Sequence, residues 1–170
     1  MDSLLALRGF TLIYLNLVFI LVGIVLYLLQ AVGLYGMGKN ADVKHNWVAF
    51  IPIVNAYVWG KIIKEIKISK YVLPYPEIVL PVAPFIYGLL FDFSMLGPLL
   101  LLCLFVLYAA GFYRLYSLYR PDSVAIYTII SIVFPFVVPF FFFNLRKESP
   151  LSTQENKRDR DSAPESKGEK

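Results

Sequence analysis

The apolar residues of this chain lie in long uninterrupted blocks, and the first block holds 30 uncharged residues between Arg8 and Lys39. Because a bilayer core about 30 Å thick needs roughly 20 helical residues, this block predicts a membrane-spanning helix over about 10–36. The block is longer than the core of a signal peptide and has no small-residue cleavage site, so we expect an uncleaved helix. The glycines near its end predict either a frayed terminus or close helix packing. They are Gly33, Gly36 and Gly38.

The second apolar block, from Trp47 to Gly60, is short and is enclosed by lysines. Its 14 residues would form about 21 Å of helix, which is too little for a comfortable crossing. Pro52 interrupts the block as well. We therefore expect an interfacial or re-entrant segment over about 46–68, anchored at headgroup depth by aromatic side chains. The anchors predicted here are Trp47, Tyr57 and Trp59.

The end of this segment has the pattern of an amphipathic helix that lies on an anionic lipid surface. Isoleucines gather on one helical face, at Ile62, Ile63 and Ile66. Lysines gather on the other face, at Lys61, Lys64 and Lys67. We therefore predict that these three lysines face lipid headgroups.

A third apolar region, from about 78 to 113, is too long for one ordinary span and is broken near Asp92. It predicts a helical hairpin with helices near 78–92 and 95–113 and with Asp92 at the tip. The first arm follows several prolines, so its start is less regular. The second arm ends in an aromatic and basic belt typical of a membrane interface. The belt contains Tyr113, Tyr116 and Tyr119 with Arg114 and Arg120.

The last apolar block holds 23 uncharged residues between Asp122 and Arg146, which is enough to cross a bilayer once over about 123–143. Pro135 and Pro139 lie in its middle, and each removes a backbone donor and clashes with the preceding turn. The block therefore predicts either a kinked span or a re-entrant hairpin. From residue 144 the chain carries seven basic and six acidic residues and few apolar ones, which predicts a disordered tail over 144–170.

The composition excludes a soluble globular domain, because 58% of the 170 residues are hydrophobic and only 16% are charged. The predicted fold is an all-α integral membrane protein. It is a small helical bundle of about four hydrophobic segments plus an interfacial or re-entrant amphipathic segment. The membrane domain covers 1–143 and the charged tail covers 144–170.

The distribution of basic residues predicts an orientation in the membrane. Placing the amino terminus outside puts the lysines of the 39–70 loop in the cytosol, as the positive-inside rule favours. A re-entrant last block would keep the tail in the cytosol too. The net charge of +4 comes largely from lysines next to membrane segments, which favours anionic lipid headgroups over nucleic acid as their partner.

The sequence offers little for catalysis. His45 is the only histidine and Cys103 the only cysteine, so one chain cannot assemble a histidine-based triad or a Cys/His metal site. We therefore expect no enzyme activity and no cofactor. The polar positions most open to a functional role are Asn55, Glu77 and Asp92. Each also has a structural interpretation, as a bridge across the Pro52 break, a helix start and a hairpin tip respectively.

Two patches resemble small uncharacterised polytopic integral membrane proteins of Gram-positive bacteria. The first has the pattern W-x-A-x-I-P-x-x-N-x-Y, and the second is a closing P-F-x-x-P-F-type segment followed by an Arg-Lys pair. The matching positions are Trp47, Ala49, Pro52, Asn55, Tyr57, Pro135, Pro139 and Arg146. The resemblance implies a bacterial plasma-membrane location and no catalytic activity. It supplies no substrate, and the long charged tail departs from the pattern.

Three hypotheses of function follow from these features. The first is a non-enzymatic accessory or interaction partner of another membrane protein or complex. The second is an immunity protein against an antimicrobial peptide, suggested by small size and a basic interfacial segment. The third is a small transporter or channel subunit with Asn55, Glu77 or Asp92 in a polar path. The sequence leaves the oligomeric state open.

Overall fold

The computed structural model of the chain describes residues 2–68, 71–90, 96–151 and 153–154, with side chains in the first range from residue 10 to residue 66. Most of this part is helical. The α-helices are α1 (Asp2–Asn40), α2 (Asn55–Ile63), α3 (Pro76–Leu90), α4 (Leu96–Tyr119), α5 (Val124–Val133) and α6 (Val138–Leu145). Three 3-10 turns lie at Asn46–Phe50, Pro121–Ser123 and Pro135–Val137. The strands are β1 (Glu65–Ile68) and β2 (Tyr71–Pro74).

Two helices are long and apolar enough to cross a membrane, α4 and the part of α1 from Phe10 to Asn40. The bent pair of α5 and α6 adds a third if it is counted as one span, and α3 is a shorter apolar helix. The chain therefore has the helices of a membrane protein. It has two to three candidate spans within the described residues, where the sequence predicted about four.

The end of α1 packs closely against α6, which decides between the two interpretations of its glycines. A Cβ atom on Gly33 would lie 2.5 Å from the carbonyl carbon of Phe142, and one on Gly36 would lie 2.8 Å from the Cβ of Arg146. Only a residue without a side chain allows backbones to approach this closely. The helix stays regular through these glycines and ends at Asn40.

The structure corrects the amphipathic helix predicted over Lys61 to Lys67. Helix α2 ends at Ile63, and Lys64 adopts a left-handed φ of 59° that turns the chain into β1. Strand β1 pairs antiparallel with β2, with Glu65 opposite Pro74 and Ile68 opposite Tyr71. The alternation of charged and β-branched residues from Glu65 to Ile68 suits a strand as well as a helix face. The fold is therefore helical with one small hairpin rather than all-α.

Helices α2 and α3 cross at Gly60. A Cβ atom at this position would lie 2.3 Å from the Cα of Glu77, so a larger residue cannot occupy the crossing without moving a helix. Pro76 is the first residue of α3, a position where its missing N–H has no helical partner to lose. This crossing places the carboxylate of Glu77 beside the end of α2.

The hydrophobic core lies at one end of the long helices. Trp59 of α2 is 4% exposed, stacks on Phe112 of α4 at 4.8 Å between ring centroids, and lies near Tyr108 and Phe142. The other half of α1 has no such cover, since its side chains from residue 10 to residue 25 are all exposed. The core of the described residues is therefore formed around the carboxyl-terminal halves of α1 and α4.

The last apolar block is bent rather than straight. The chain turns by 115° between the segments Pro121–Val133 and Pro135–Leu145, at the break that Pro135 introduces. A bond of 2.7 Å between the Tyr116 hydroxyl and Ser131 holds α5 against α4. Because Glu148, just beyond α6, forms an ion pair with Arg120, just before α5, both ends of the pair lie at the same end of α4.

The residues after α6 belong to the folded body, which moves the predicted start of the tail. Helix α6 continues to Leu145, and both Leu145 and Pro150 are buried. The Asn40 side chain donates hydrogen bonds to the carbonyls of Arg146 at 2.9 Å and Glu148 at 3.2 Å. The remainder of the predicted tail, residues 155–170, lies outside the described residues.

Candidate functional site

A cavity of about 260 Å³ lies where α1, α2, α3, α4 and α6 meet. Its wall contains Gln30 from α1, Asn55 and Trp59 from α2, and Pro81 and Pro84 from α3. Aromatic side chains of α4 and α6 close the far side. The cavity is thus lined by helices that are distant in sequence. Its wall includes two amide side chains, Gln30 and Asn55, which are rare within the apolar blocks.

The prolines of α3 explain one polar contact in the wall. A proline has no N–H, so the carbonyl four residues before Pro84 loses its helical donor. That carbonyl belongs to Leu80, and the Tyr108 hydroxyl of α4 donates a hydrogen bond to it at 3.1 Å. The side chain of α4 therefore replaces the missing backbone bond and couples α3 to α4 beside the cavity.

The floor of the cavity includes a strained turn. Ile53 has a φ of 71°, which is rare for a β-branched residue. The N–H of Val54 donates to the carbonyl of Pro52 at 2.8 Å, which closes a tight three-residue turn around Ile53. Such a conformation costs on the order of 1–3 kcal/mol and persists only where neighbouring contacts hold it. The turn sets the position at which α2 begins and thereby places Asn55 in the wall.

The polar groups of the wall are neutral. Asn55 and Gln30 carry amides, and the indole N–H of Trp59 is buried without a hydrogen-bond partner in the part of the chain described. No lysine, arginine, aspartate or glutamate is among the described wall residues. The arrangement can offer hydrogen-bond donors to an uncharged group in otherwise apolar surroundings.

A second concave region, of about 330 Å³, lies between the end of α2, the β-hairpin and the start of α3. Here Lys61 Nζ donates to Glu77 Oε1 at 2.8 Å. This hydrogen bond is the main reason why the pKa of Lys61 is raised. Burial by itself raises the pKa of Glu77, but the bonds from Lys61 and the backbone and the ammonium charge outweigh it, so the pKa is lowered. Both groups are therefore ionised at neutral pH.

The three polar positions singled out in the sequence do not form one site in the described structure. Asn55 lines the first cavity and Glu77 lines the second. Glu77 lies in the first turn of α3, the helix start at which the sequence placed it. Asp92 lies outside the described residues. Asn55 and Glu77 therefore lie in separate concave regions and do not form a shared polar path.

The predicted lipid-facing residues are divided between the surface and the interior. Trp47 and Tyr113 are exposed and Tyr57 is half-buried. Trp59, Tyr116 and Tyr119 instead pack in the core, because α4 covers the Trp59 face of α2 while α5 and α6 pack against α4. Of the lysines, Lys64 is exposed, Lys61 is paired with Glu77, and the side chain of Lys67 lies outside the described residues.

Sequence reasoning missed Gln30, Tyr108 and Pro84 as parts of one wall. Gln30 lies within the first predicted span, and only its four-residue spacing from Leu34, which also lines the cavity, indicates a shared face. Tyr108 lies within the second arm of the predicted hairpin, where the sequence does not distinguish it from its neighbours. The missing N–H at Pro84 is readable from the sequence, but the residue that compensates for it is not.

Among the described residues, no group of three or more His, Cys, Asp or Glu side chains is placed to hold a metal ion. Cys103 is exposed on α4, and His45 is exposed ahead of the first 3-10 turn. The neutral cavity and the Lys61–Glu77 region are therefore the arrangements from which a function can be argued. Comparisons with protein-family models, with curated proteins and with solved structures found no match to this chain.

Proposed function

We propose that this chain is a non-enzymatic, multi-pass protein of the bacterial plasma membrane that acts as an accessory partner of another membrane protein or complex. One observation carries the proposal. The described charged side chains, eight basic and five acidic, belong to helix ends and the loops beside them, and the contacts of Asn40 and Arg120 with the residues after α6 join the ends of α1 and α4 into one charged end. Among the described residues, three ion pairs connect elements at this charged end, Lys61–Glu77, Arg114–Glu65 and Arg120–Glu148.

The contacts at the charged end support a topology with three crossings. The carboxyl ends of α1 and α4 both meet the residues after α6, through Asn40 and Arg120. If both helices cross the bilayer, they cross in the same direction, and the chain between them must return. The stretch from Ile78 to Met95, 18 residues with Asp92 as its one charge, is the apolar segment that can do so. The pair of α5 and α6 is then re-entrant.

This topology assigns sides to the termini. The amino terminus lies on one side, and the basic loop after α1 and the tail lie together on the other. Because lysine and arginine near span ends favour the cytosol, we place the charged end in the cytosol and the amino terminus outside. The charged end then lies at the cytosolic headgroups, where the lysines of the 39–70 loop are attracted to anionic lipid.

The tail supports the accessory role. Residues 155–170 carry five basic and five acidic residues, and they follow the segment that Asn40 and Arg120 hold at the charged end. A segment with many charges and few apolar residues cannot fold by itself, but it can bind a partner surface of complementary charge. A cytosolic domain of a neighbouring membrane complex is a partner of that chemistry.

Cysteine labelling in the membrane tests the topology. In a Cys103→Ser background, Lys44→Cys and Lys147→Cys are expected to react with an impermeant maleimide only after the cytosolic face is opened. Ser3→Cys is expected to react in intact cells. Labelling of positions 44 and 147 from opposite sides would overturn the three-crossing arrangement.

Gentle extraction with crosslinking and mass spectrometry tests the partner. We expect one membrane protein to crosslink to the full chain in a fixed ratio and to be lost when residues 155–170 are removed. The Cys103→Ser chain, with its tail intact, is the matched control and should retain the partner. A partnerless monomer in the native membrane contradicts the accessory role.

A further inference from the structure

The depth of the cavity that Trp59 lines can be measured along α1 and α4 from the charged residues near their carboxyl ends. On α4, Tyr108 and Phe112 line it, and they precede Arg114, which pairs with Glu65 at the charged end, by six and two residues. At 1.5 Å per residue the wall is therefore about 3–9 Å deeper than that arginine. On α1, Gln30 precedes Lys39 by nine residues, a rise of about 14 Å. With Lys39 and Arg114 in the headgroup layer, the wall extends from the headgroup boundary into the hydrocarbon of the same leaflet.

The chemistry of the wall indicates what would bind there. The described wall holds no charge, so a phosphate or ammonium group would be desolvated without compensation. The amides of Gln30 and Asn55 are half-buried in the wall, and each has two donor hydrogens beside its acceptor oxygen. An uncharged oxygen acceptor complements these donor hydrogens.

The size of the cavity limits the ligand further. Its 260 Å³ is below the roughly 300–1,000 Å³ typical of pockets that enclose a drug-sized molecule. The cavity therefore suits a ring or a short ester segment whose apolar chain continues into the bilayer. Proline rings and aromatic side chains supply the flat apolar walls that such a group contacts.

We propose that this cavity binds a neutral, mostly apolar membrane molecule through a carbonyl oxygen. The ester region of an uncharged glycerolipid and the ring of a membrane quinone share this chemistry. In both cases the carbonyl accepts from the amide of Asn55 or Gln30, and the apolar remainder lies against Trp59 and Pro84. The inference does not depend on the accessory role proposed above.

The two tryptophans of the chain allow a direct test, because Trp47 is exposed and Trp59 lines the cavity. In nanodiscs of uncharged lipid, the Trp47→Phe variant leaves Trp59 as the only reporter. Decylbenzoquinone is the first probe, since quinones quench tryptophan emission. Dioctanoylglycerol is the second, added as a competitor. The Trp59→Phe variant, which keeps Trp47, measures quenching by probe that is merely dissolved in the bilayer.

We expect quenching of Trp59 to saturate, while that of Trp47 stays linear in probe concentration. Ala56→Phe fills the cavity from α2 and should weaken the saturable phase at least tenfold, whereas Ala125→Phe, on the exposed side of α5, should not. Asn55→Leu should weaken it several-fold, against no change for Asn144→Leu at an exposed position. The second pair keeps the test decisive if Ala56→Phe fails to fold.

The competitor distinguishes the two sources. Displacement by dioctanoylglycerol supports a site for carbonyl groups in general, and saturable quenching without displacement supports the quinone. A dioctanoylglycerol-dependent shift of Trp59 emission without quinone binding supports the lipid ester. Linear quenching at Trp59 with no response to dioctanoylglycerol would overturn the proposal, as would tighter binding of phosphatidic acid than of either neutral probe.

Discussion

Lys61 and Glu77 show how one residue pair connects α2 to α3 at the charged end. The Glu77 side chain is 12% exposed and that of Lys61 is 41% exposed. Without the lysine, a nearly buried carboxylate would lose its partner, while a lysine without the glutamate still reaches water. The pair is therefore asymmetric, because breaking it from the lysine side leaves the more costly group behind.

We predict that Lys61→Met destabilises the protein more than Glu77→Gln does, and that the double variant resembles Glu77→Gln. The pH dependence follows from the pKa directions. A lowered pKa of Glu77 in the folded state means that its stabilisation is present above the unfolded value of about 4.3 and is lost as pH falls. The raised pKa of Lys61 means that its part is lost as pH rises above about 10.4.

Thermal unfolding in detergent from pH 7 to pH 3 measures this effect. The wild-type midpoint should fall below about pH 5 more steeply than that of the Lys61→Met/Glu77→Gln double variant. Lys64→Met, at an exposed lysine, is the control and should keep the wild-type slope. Equal slopes in the wild type and the double variant would contradict the role of the pair.

At the scale of elements, α3 depends on its neighbours more than a regular helix would. Pro81 and Pro84 lie inside it, and each removes a backbone donor. Tyr108 of α4 supplies the donor that the Leu80 carbonyl lacks, and Gly60 of α2 provides the close crossing at Glu77. The short helix is thus stabilised by contacts from both sides, and these same contacts shape the cavity.

A double-mutant cycle tests this dependence. Tyr108→Phe should cost about 1 kcal/mol of unfolding free energy, because it leaves the Leu80 carbonyl without a donor. Pro84→Ala restores a backbone N–H to that carbonyl, so in the Pro84→Ala background the cost of Tyr108→Phe should be clearly smaller. Unfolding by titration with a denaturing detergent gives the four free energies, and additive effects would refute the coupling.

At the scale of the whole molecule, the bent pair of α5 and α6 determines where the tail emerges. The residues that flank the pair, Arg120 before α5 and Glu148 after α6, form an ion pair. A hydrogen bond between Tyr116 of α4 and Ser131 of α5 lies in the core between these two helices. The same pair supplies the α6 surface on which Gly33 and Gly36 pack. The bend therefore brings the first and last helices together at the charged end.

We predict that Ser131→Ala costs about 1–3 kcal/mol of unfolding free energy, because the buried Tyr116 hydroxyl loses its partner. The Tyr116→Phe/Ser131→Ala double variant should be less destabilised than Ser131→Ala alone. Ser117→Ala is the matched control, since Ser117 donates to the Arg114 carbonyl of its own helix and its loss should change stability little. A detergent unfolding titration compares them, and equal losses at Ser117 and Ser131 would contradict the prediction.

Several features were predictable from the sequence because they depend on local composition. Block length and hydropathy indicated α1 and α4 as membrane helices, and Pro135 indicated a break in the last block. The first arm of the predicted hairpin was placed near 78–92, and α3 begins two residues earlier, at Pro76, because a proline is tolerated at the first position of a helix. The strand over Glu65–Ile68 was missed because the isoleucines near it fit both a helical and a two-residue period, and only pairing with β2 decides between them.

The sequence by itself determined that this chain has apolar segments long enough to cross a membrane, since the transfer of such a segment from water depends on that segment alone. It also determined where regular backbone structure must break, since a proline lacks its N–H in any surroundings. Only the tertiary structure decided that Trp59 and Tyr116 face the core, that Asn55 and Gln30 share a cavity, and that α6 returns to Asn40. These outcomes depend on contacts between distant elements, and hydropathy cannot distinguish a side chain that faces lipid from one that faces another helix.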